Sequence, residues 1–202
     1  MGNWYTNVAV KGPQQAQVVA LLEELGHRAY VTPDTSGWIV VYDQQTDEFD
    51  LGLLESLALT LSTRLFCTAL ASCNADDDLL WLALYENGNL STRYASSRKS
   101  FEDGEEFPDL KDAAQVFARV FEKSGAEEQV LSILRKSHGI LGLLHIVFKA
   151  RLAYIVEIQR HLDLSDLLGM PRAAVGLGYS YVNRGETPEG MDRATLRRTM
   201  IG

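Results

Sequence analysis

The run Trp38-Ile39-Val40-Val41-Tyr42-Asp43 decides the fold. It is short, β-branched and aromatic, and it reads as a strand. Side chains alternate across a strand, so Trp38, Val40 and Tyr42 point one way and Ile39 and Val41 the other. Both faces are apolar, and such a strand belongs inside a sheet that is covered on each side.

Working outward, Arg28 to Thr32 is a second short strand, joined to the first through the turn residues Pro33, Asp34, Thr35, Ser36 and Gly37. Upstream, Trp4 to Lys11 reads as a strand stopped by Gly12-Pro13. A helix follows, with Val18, Leu21, Leu22 and Leu25 at helical spacing and Gly26 as its left-handed stop. Downstream, Asp50 caps a second helix carrying Leu54, Leu57, Ala58, Leu61 and Leu65, and Cys67 to Cys73 returns to strand composition. The order is βαββαβ, the split-βαβ pattern of ferredoxin-like α+β folds. Leu79 to Tyr85 and Leu90 to Tyr94 flank Asn87-Gly88, a turn pair that tolerates positive φ, so an added hairpin extends the sheet.

The remainder divides in two. Residues 96–108 are polar and lack an apolar period, as in a linker or long loop, and residues 109–202 turn helical. Val116, Phe117, Val120 and Phe121 form one stripe and Val130, Ile133 and Leu134 another. The strongest candidate helix runs from Leu143 to Leu162. The expected organisation is a ferredoxin-like domain over 1–95 and a C-terminal helical region docked on its sheet.

The net charge is −8, with 12 acidic and 6 basic residues in the first hundred positions and 15 and 13 in the rest. An acidic chain is a poor ligand for nucleic acid or an anionic membrane, and no apolar run reaches the length of a membrane span. Arg193, Arg197 and Arg198 alone make a basic end. The N-terminus lacks the basic start and apolar run of a secretory signal, so a cytoplasmic location is expected, with Cys67 and Cys73 as reduced core thiols.

No motif fixes a reaction. Ser180 in Gly178-Tyr179-Ser180-Tyr181 lacks the second glycine of a nucleophile elbow, and Gly176-Leu177-Gly178 lacks the third glycine of a dinucleotide loop. Asp76-Asp77-Asp78 lacks the Ca²⁺-loop spacing, and His27, His138, His145 and His161 lack the repeated Glu-x-x-His of a di-iron bundle, so no cofactor or metal is expected. Leu164 to Tyr179 resembles a helix-turn-helix, but Gly176 and Gly178 weaken its recognition helix and Arg172 is its one nearby basic contact.

The expectation is therefore a non-enzymatic interaction or regulatory protein. Its candidate surface is Asp76, Asp77 and Asp78 with the aromatics Trp38, Tyr42, Trp81 and Tyr85. The acidic half would attract a basic protein partner, and the aromatic sheet face would be covered by the C-terminal helices or by a second copy of the chain in a homo-oligomer. The alternatives are a DNA-binding regulator using 164–179 and a small hydrolase whose site assembles from distant residues.

Overall fold

The computed structural model describes residues 2–98, 101, 106–138, 153–154 and 156–200. Its core strands are β1 (Tyr5–Lys11), β2 (Ala29–Val31), β3 (Trp38–Asp43), β4 (Thr68–Ala75), β5 (Leu79–Glu86) and β6 (Asn89–Ala95). They form a seven-stranded antiparallel open sheet in the order β6-β5-β4-β1-β3-β2-β9, where β9 (Arg197–Arg198) comes from the far end of the chain. The class is mixed α+β.

Local chemistry sets the first half much as its sequence suggests. Helix α1 (Gln15–Glu24) starts after Pro13, with Gln17 Oε1 accepting from the Gln14 amide at 2.8 Å, and Gly26 follows at φ 74°. Helix α2 (Leu51–Leu65) is capped by Asp50, whose Oδ1 accepts from the Leu53 amide at 3.0 Å. Asn87 and Gly88 both hold positive φ, 50° and 82°, and close the β5–β6 hairpin.

Both faces of the sheet are buried. On one face Val8, Val10, Ile39, Val41 and Ala71 share a core with Val18, Leu21 and Leu22 of α1 and Leu54, Leu57 and Leu61 of α2. On the other, Val40, Tyr42, Leu70, Leu80, Leu82 and Leu84 meet helices α3 (Leu110–Val120), α4 (Glu127–Arg135), α5 (Glu157–Leu168) and the short α6 (Tyr179–Asn183). Trp38 stacks on Phe121 with ring centroids 5.1 Å apart, and Tyr42 Oη donates to the Ala173 carbonyl at 2.7 Å.

Three expectations need correction. Trp38, Tyr42, Trp81 and Tyr85 are all buried, but they do not form one patch: the first two face the C-terminal helices and the last two face α1 and α2. Pairing parity is the reason. Ala9 aligns with Val40 and with Leu70, and Leu70 aligns with Leu84, so the even-numbered residues of β3 and β5 share a face and leave Trp81 and Tyr85 on the opposite one. Nor is the C-terminal region helical throughout. It returns β9 to the edge of the main sheet, and β7 (Ser137–His138) pairs with β8 (Ala153–Tyr154) in a two-stranded parallel ladder.

The helix-turn-helix expectation fails on its second helix. Gly169 ends α5 at φ 71°, a 3₁₀ turn covers Arg172–Ala174, and the five-residue α6 begins only at Tyr179. Met170, Ala173 and Ala174 are core residues, and Arg172 pairs with Asp166 at 2.9 Å. Of the expected helix Leu143 to Leu162, Ala153–Tyr154 form strand β8 instead and the helix α5 begins only at Glu157, while His145 lies outside the described residues. Among the described residues no helix is long and apolar enough to cross a membrane.

Phe117 is fully buried in the core between sheet and C-terminal helices, whereas Phe66 is 82% exposed. Phe117→Ala is expected to lower the stability measured by urea unfolding by about 3–5 kcal/mol. Phe66→Ala should change it by less than about 0.5 kcal/mol.

Candidate functional site

Asp76 and Asp77 occupy consecutive left-handed positions, φ 52° and 58°, in the β4–β5 turn. Asp76 Oδ1 accepts from the Gly2 amide at 2.8 Å and from Trp4 Nε1 at 3.0 Å. Asp77 accepts from the Asn3 amide and from Asn74 Nδ2, both at 2.8 Å, and its carbonyl takes the Glu157 amide that opens α5 at 2.9 Å. Two of the three candidate carboxylates therefore clasp the N-terminal segment, and their turn also anchors a roof helix.

Beneath α5 lies a fully buried ionic cluster. Arg160 Nε donates to Glu157 Oε2 at 2.6 Å and Nη2 to Oε1 at 3.2 Å. Its remaining hydrogens reach the carbonyls of Ile133 (2.6 Å), Leu134 (3.3 Å) and Lys136 (2.6 Å). Those carbonyls belong to the C-terminal end of α4, where helical partners run out, so one guanidinium caps α4 while α5 holds its charge.

His161, one residue on, is also fully buried. Its Nδ1 sits 2.7 Å from Tyr5 Oη. Burial pushes His161 down to about 3 and Tyr5 above the usual phenol range, so both are neutral. Among the described residues His161 Nε2 has no hydrogen-bond partner, and neither do Asn7 Oδ1, Ser72 Oγ, Asn74 Oδ1 or Ser165 Oγ. Asn7 faces Ser72 and Tyr5 faces Asn74 across β1 and β4, so these atoms mark the most polar part of the core. Glu157 and His161, one turn apart on α5, are thus engaged by Arg160 and Tyr5. No group of three or more metal-ligating side chains occurs among the described residues.

The glycine-rich stretch and Ser180 serve packing. A side chain at Gly178 would put its Cβ 2.5 Å from Asp47 Oδ1. That close approach lets Asp47 accept from the amides of Tyr179 (3.0 Å) and Ser180 (2.8 Å) and from the Ser180 hydroxyl. Burial raises the free thiols of Cys67 and Cys73 to about 11 and about 12, which keeps them protonated and unreactive near neutrality.

Tyr30 aligns with Arg198 and Val31 with Arg197. Thr199 fastens the strand end: its hydroxyl accepts from the Ala29 amide at 2.9 Å and donates to the His27 carbonyl at 2.7 Å. The guanidinium carbons of Arg198 and Arg193 lie 5.6 and 6.0 Å from the centroid of the Tyr30 ring. Arg198, Arg28, Thr199 and Met200 line a cavity of about 400 Å³, and Arg184 lies 5.0 Å from the Tyr181 ring.

Elsewhere Arg64, Arg93, Arg119, Arg160 and Arg172 each pair with a carboxylate. Among the described residues Arg28, Arg98, Arg135, Arg184, Arg193, Arg197 and Arg198 pair with none, and Arg28, Arg193, Arg197 and Arg198 of these gather at the β2–β9 edge. The basic tail was visible in the sequence, but its meeting with Arg28 and the Tyr30 ring was not, because only strand pairing over some 170 positions brings them together. Comparison of the chain with family models, curated proteins and solved structures found no match.

His161 leaves a signature in acid. Its native value lies below the ordinary 6.5, so the unfolded chain binds the proton first, and the fold loses stability as pH falls below 6.5 toward about 3. The loss attributable to this group is about 1.4 kcal/mol per pH unit. Urea unfolding at pH 6, 5 and 4 should therefore give a flatter pH dependence for His161→Gln than for the parent chain. Parallel slopes would contradict a neutral buried imidazole.

Proposed function

We propose that this chain is a non-enzymatic interaction protein that captures an acidic segment of a partner protein along its arginine-rich sheet edge. On this reading residues 1–95 are a ferredoxin-like α+β unit extended by the β5–β6 hairpin, with 109–202 docked on it. The strand order β4-β1-β3-β2, with α1 and α2 packed on one face, supports that assignment. A reducing cytoplasmic setting fits the two free buried thiols.

The observation that carries the proposal is the set of four arginines, Arg28, Arg193, Arg197 and Arg198, without carboxylate partners around Tyr30 and β9 in a chain of net charge −8. Like-charged guanidiniums gathered on one edge repel each other, and an incoming carboxylate relieves that repulsion while forming bidentate hydrogen bonds. The acidic remainder of the molecule repels a long polyanion, so a short acidic protein segment is a better fit than nucleic acid. The partner is acidic rather than basic because Asp76 and Asp77 are already engaged by the chain's own N-terminal segment.

Titration of the intact protein with a fluorescent ten-residue glutamate peptide tests this. Binding should weaken as salt rises and fall about tenfold or more in Arg28→Ala/Arg198→Ala, both exposed positions. A peptide that binds the variant equally well, a lysine peptide that binds better, or random duplex DNA that binds as tightly would each overturn the proposal.

A further inference from the structure

His27 follows the Gly26 turn at the end of α1, and its Nδ1 lies 3.0 Å from Oδ2 of Asp43, the last residue of β3. Asp43 is buried, and its Oδ1 accepts from the amides of Gln45 (3.0 Å) and Thr46 (3.1 Å). A carboxylate held in this way fixes the ring through Nδ1 and leaves Nε2 without a hydrogen-bond partner among the described residues.

The ring lines a cleft of about 230 Å³ between the α1–β2 turn and α2. Ser56 and Thr60 stand one helical turn apart on α2 and line the same cleft, and their hydroxyls have no hydrogen-bond partner among the described residues. The side chains of Leu25 and Leu53, 37% and 45% exposed, also line it. Two of the chain's few exposed large apolar side chains thus sit beside an oriented imidazole and two uncommitted hydroxyls. Among the described residues no Asp, Glu, Lys or Arg lines the cleft.

We propose that this cleft binds a small uncharged molecule with a hydroxyl or amide group at one end and a short aliphatic part at the other. The polar end donates to His27 Nε2 and exchanges hydrogen bonds with Ser56 and Thr60, and the aliphatic part covers Leu25 and Leu53. An anion would meet the Asp43 carboxylate behind the ring, and among the described residues no Lys or Arg lines the cleft to offset it. A cation would find Asp43 already satisfied by three hydrogen bonds. The volume is below the roughly 300–1,000 Å³ of sites for drug-sized ligands, which sets the scale of the molecule.

The test is an NMR titration of the intact ¹⁵N-labelled protein with butyramide and, in parallel, with butyrate and butylammonium as charged counterparts. Butyramide should give saturable shifts at the His27 ring nitrogens and the amides of residues 53–60, with a dissociation constant on the order of 1 mM. The charged molecules should bind about tenfold more weakly or not at all. Leu53→Gln, at an exposed rim position where the fold is indifferent, should weaken butyramide by about threefold or more. Absence of saturation, shifts centred on other residues, equal binding of butyrate, or indifference to Leu53→Gln would overturn the proposal.

Discussion

The central strands have no polar face. Val8, Val10, Ile39 and Val41 face α1 and α2, and Ala9, Val40, Tyr42 and Leu70 face α3 to α6, all of them buried. A sheet built from such strands is stable only as a middle layer, because exposing either side would leave several hundred Å² of apolar surface in water. This makes the C-terminal helices part of the fold. It also explains why charged groups occur inside the roof: Arg160 lies under α5 because the last carbonyls of α4 are buried there and need donors, and Glu157 neutralises the cation that supplies them.

The distribution of charge follows from the same packing. Carboxylates across the first half are engaged locally: Asp50 caps α2, Asp43 orients His27, Asp47 caps α6, and Asp76 and Asp77 hold the N-terminus. Glu55 and Glu86 pair with arginines. The arginines of the β2–β9 edge have no such partners among the described residues, so the net negative sign of the chain conceals a basic edge. Among the described residues the cleft beside His27 carries no formal charge on its other lining residues, so the two surfaces differ in charge.

Much of the first half was legible in the sequence because its signals are local. The Asp50 cap, the Asn87-Gly88 turn and the helical spacing of Leu54, Leu57 and Leu61 each depend on a few adjacent residues. The sorting of Trp38 and Tyr42 from Trp81 and Tyr85 was not legible, because it depends on parity carried through the β3–β1–β4–β5 pairings, which no single strand encodes. The return of Arg197 and Arg198 to the sheet edge was hidden for a related reason: a two-residue strand has no periodicity to read. Tyr5 with His161, and Arg28 with Arg198, are pairings between opposite ends of the chain. Leu164 to Tyr179 misled because its apolar positions serve the core, and the glycine at 178 is demanded by the approach of Asp47.

Native-state hydrogen exchange tests the middle-layer account most directly. If the sheet depends on both coverings, amides of β1, β3 and β4 and those of α3 and α5 exchange through one shared opening, with equal free energies and equal denaturant dependence. Contradiction would be α3 and α5 opening at a much lower free energy while the central strands stay protected, since the sheet would then persist with one face bare.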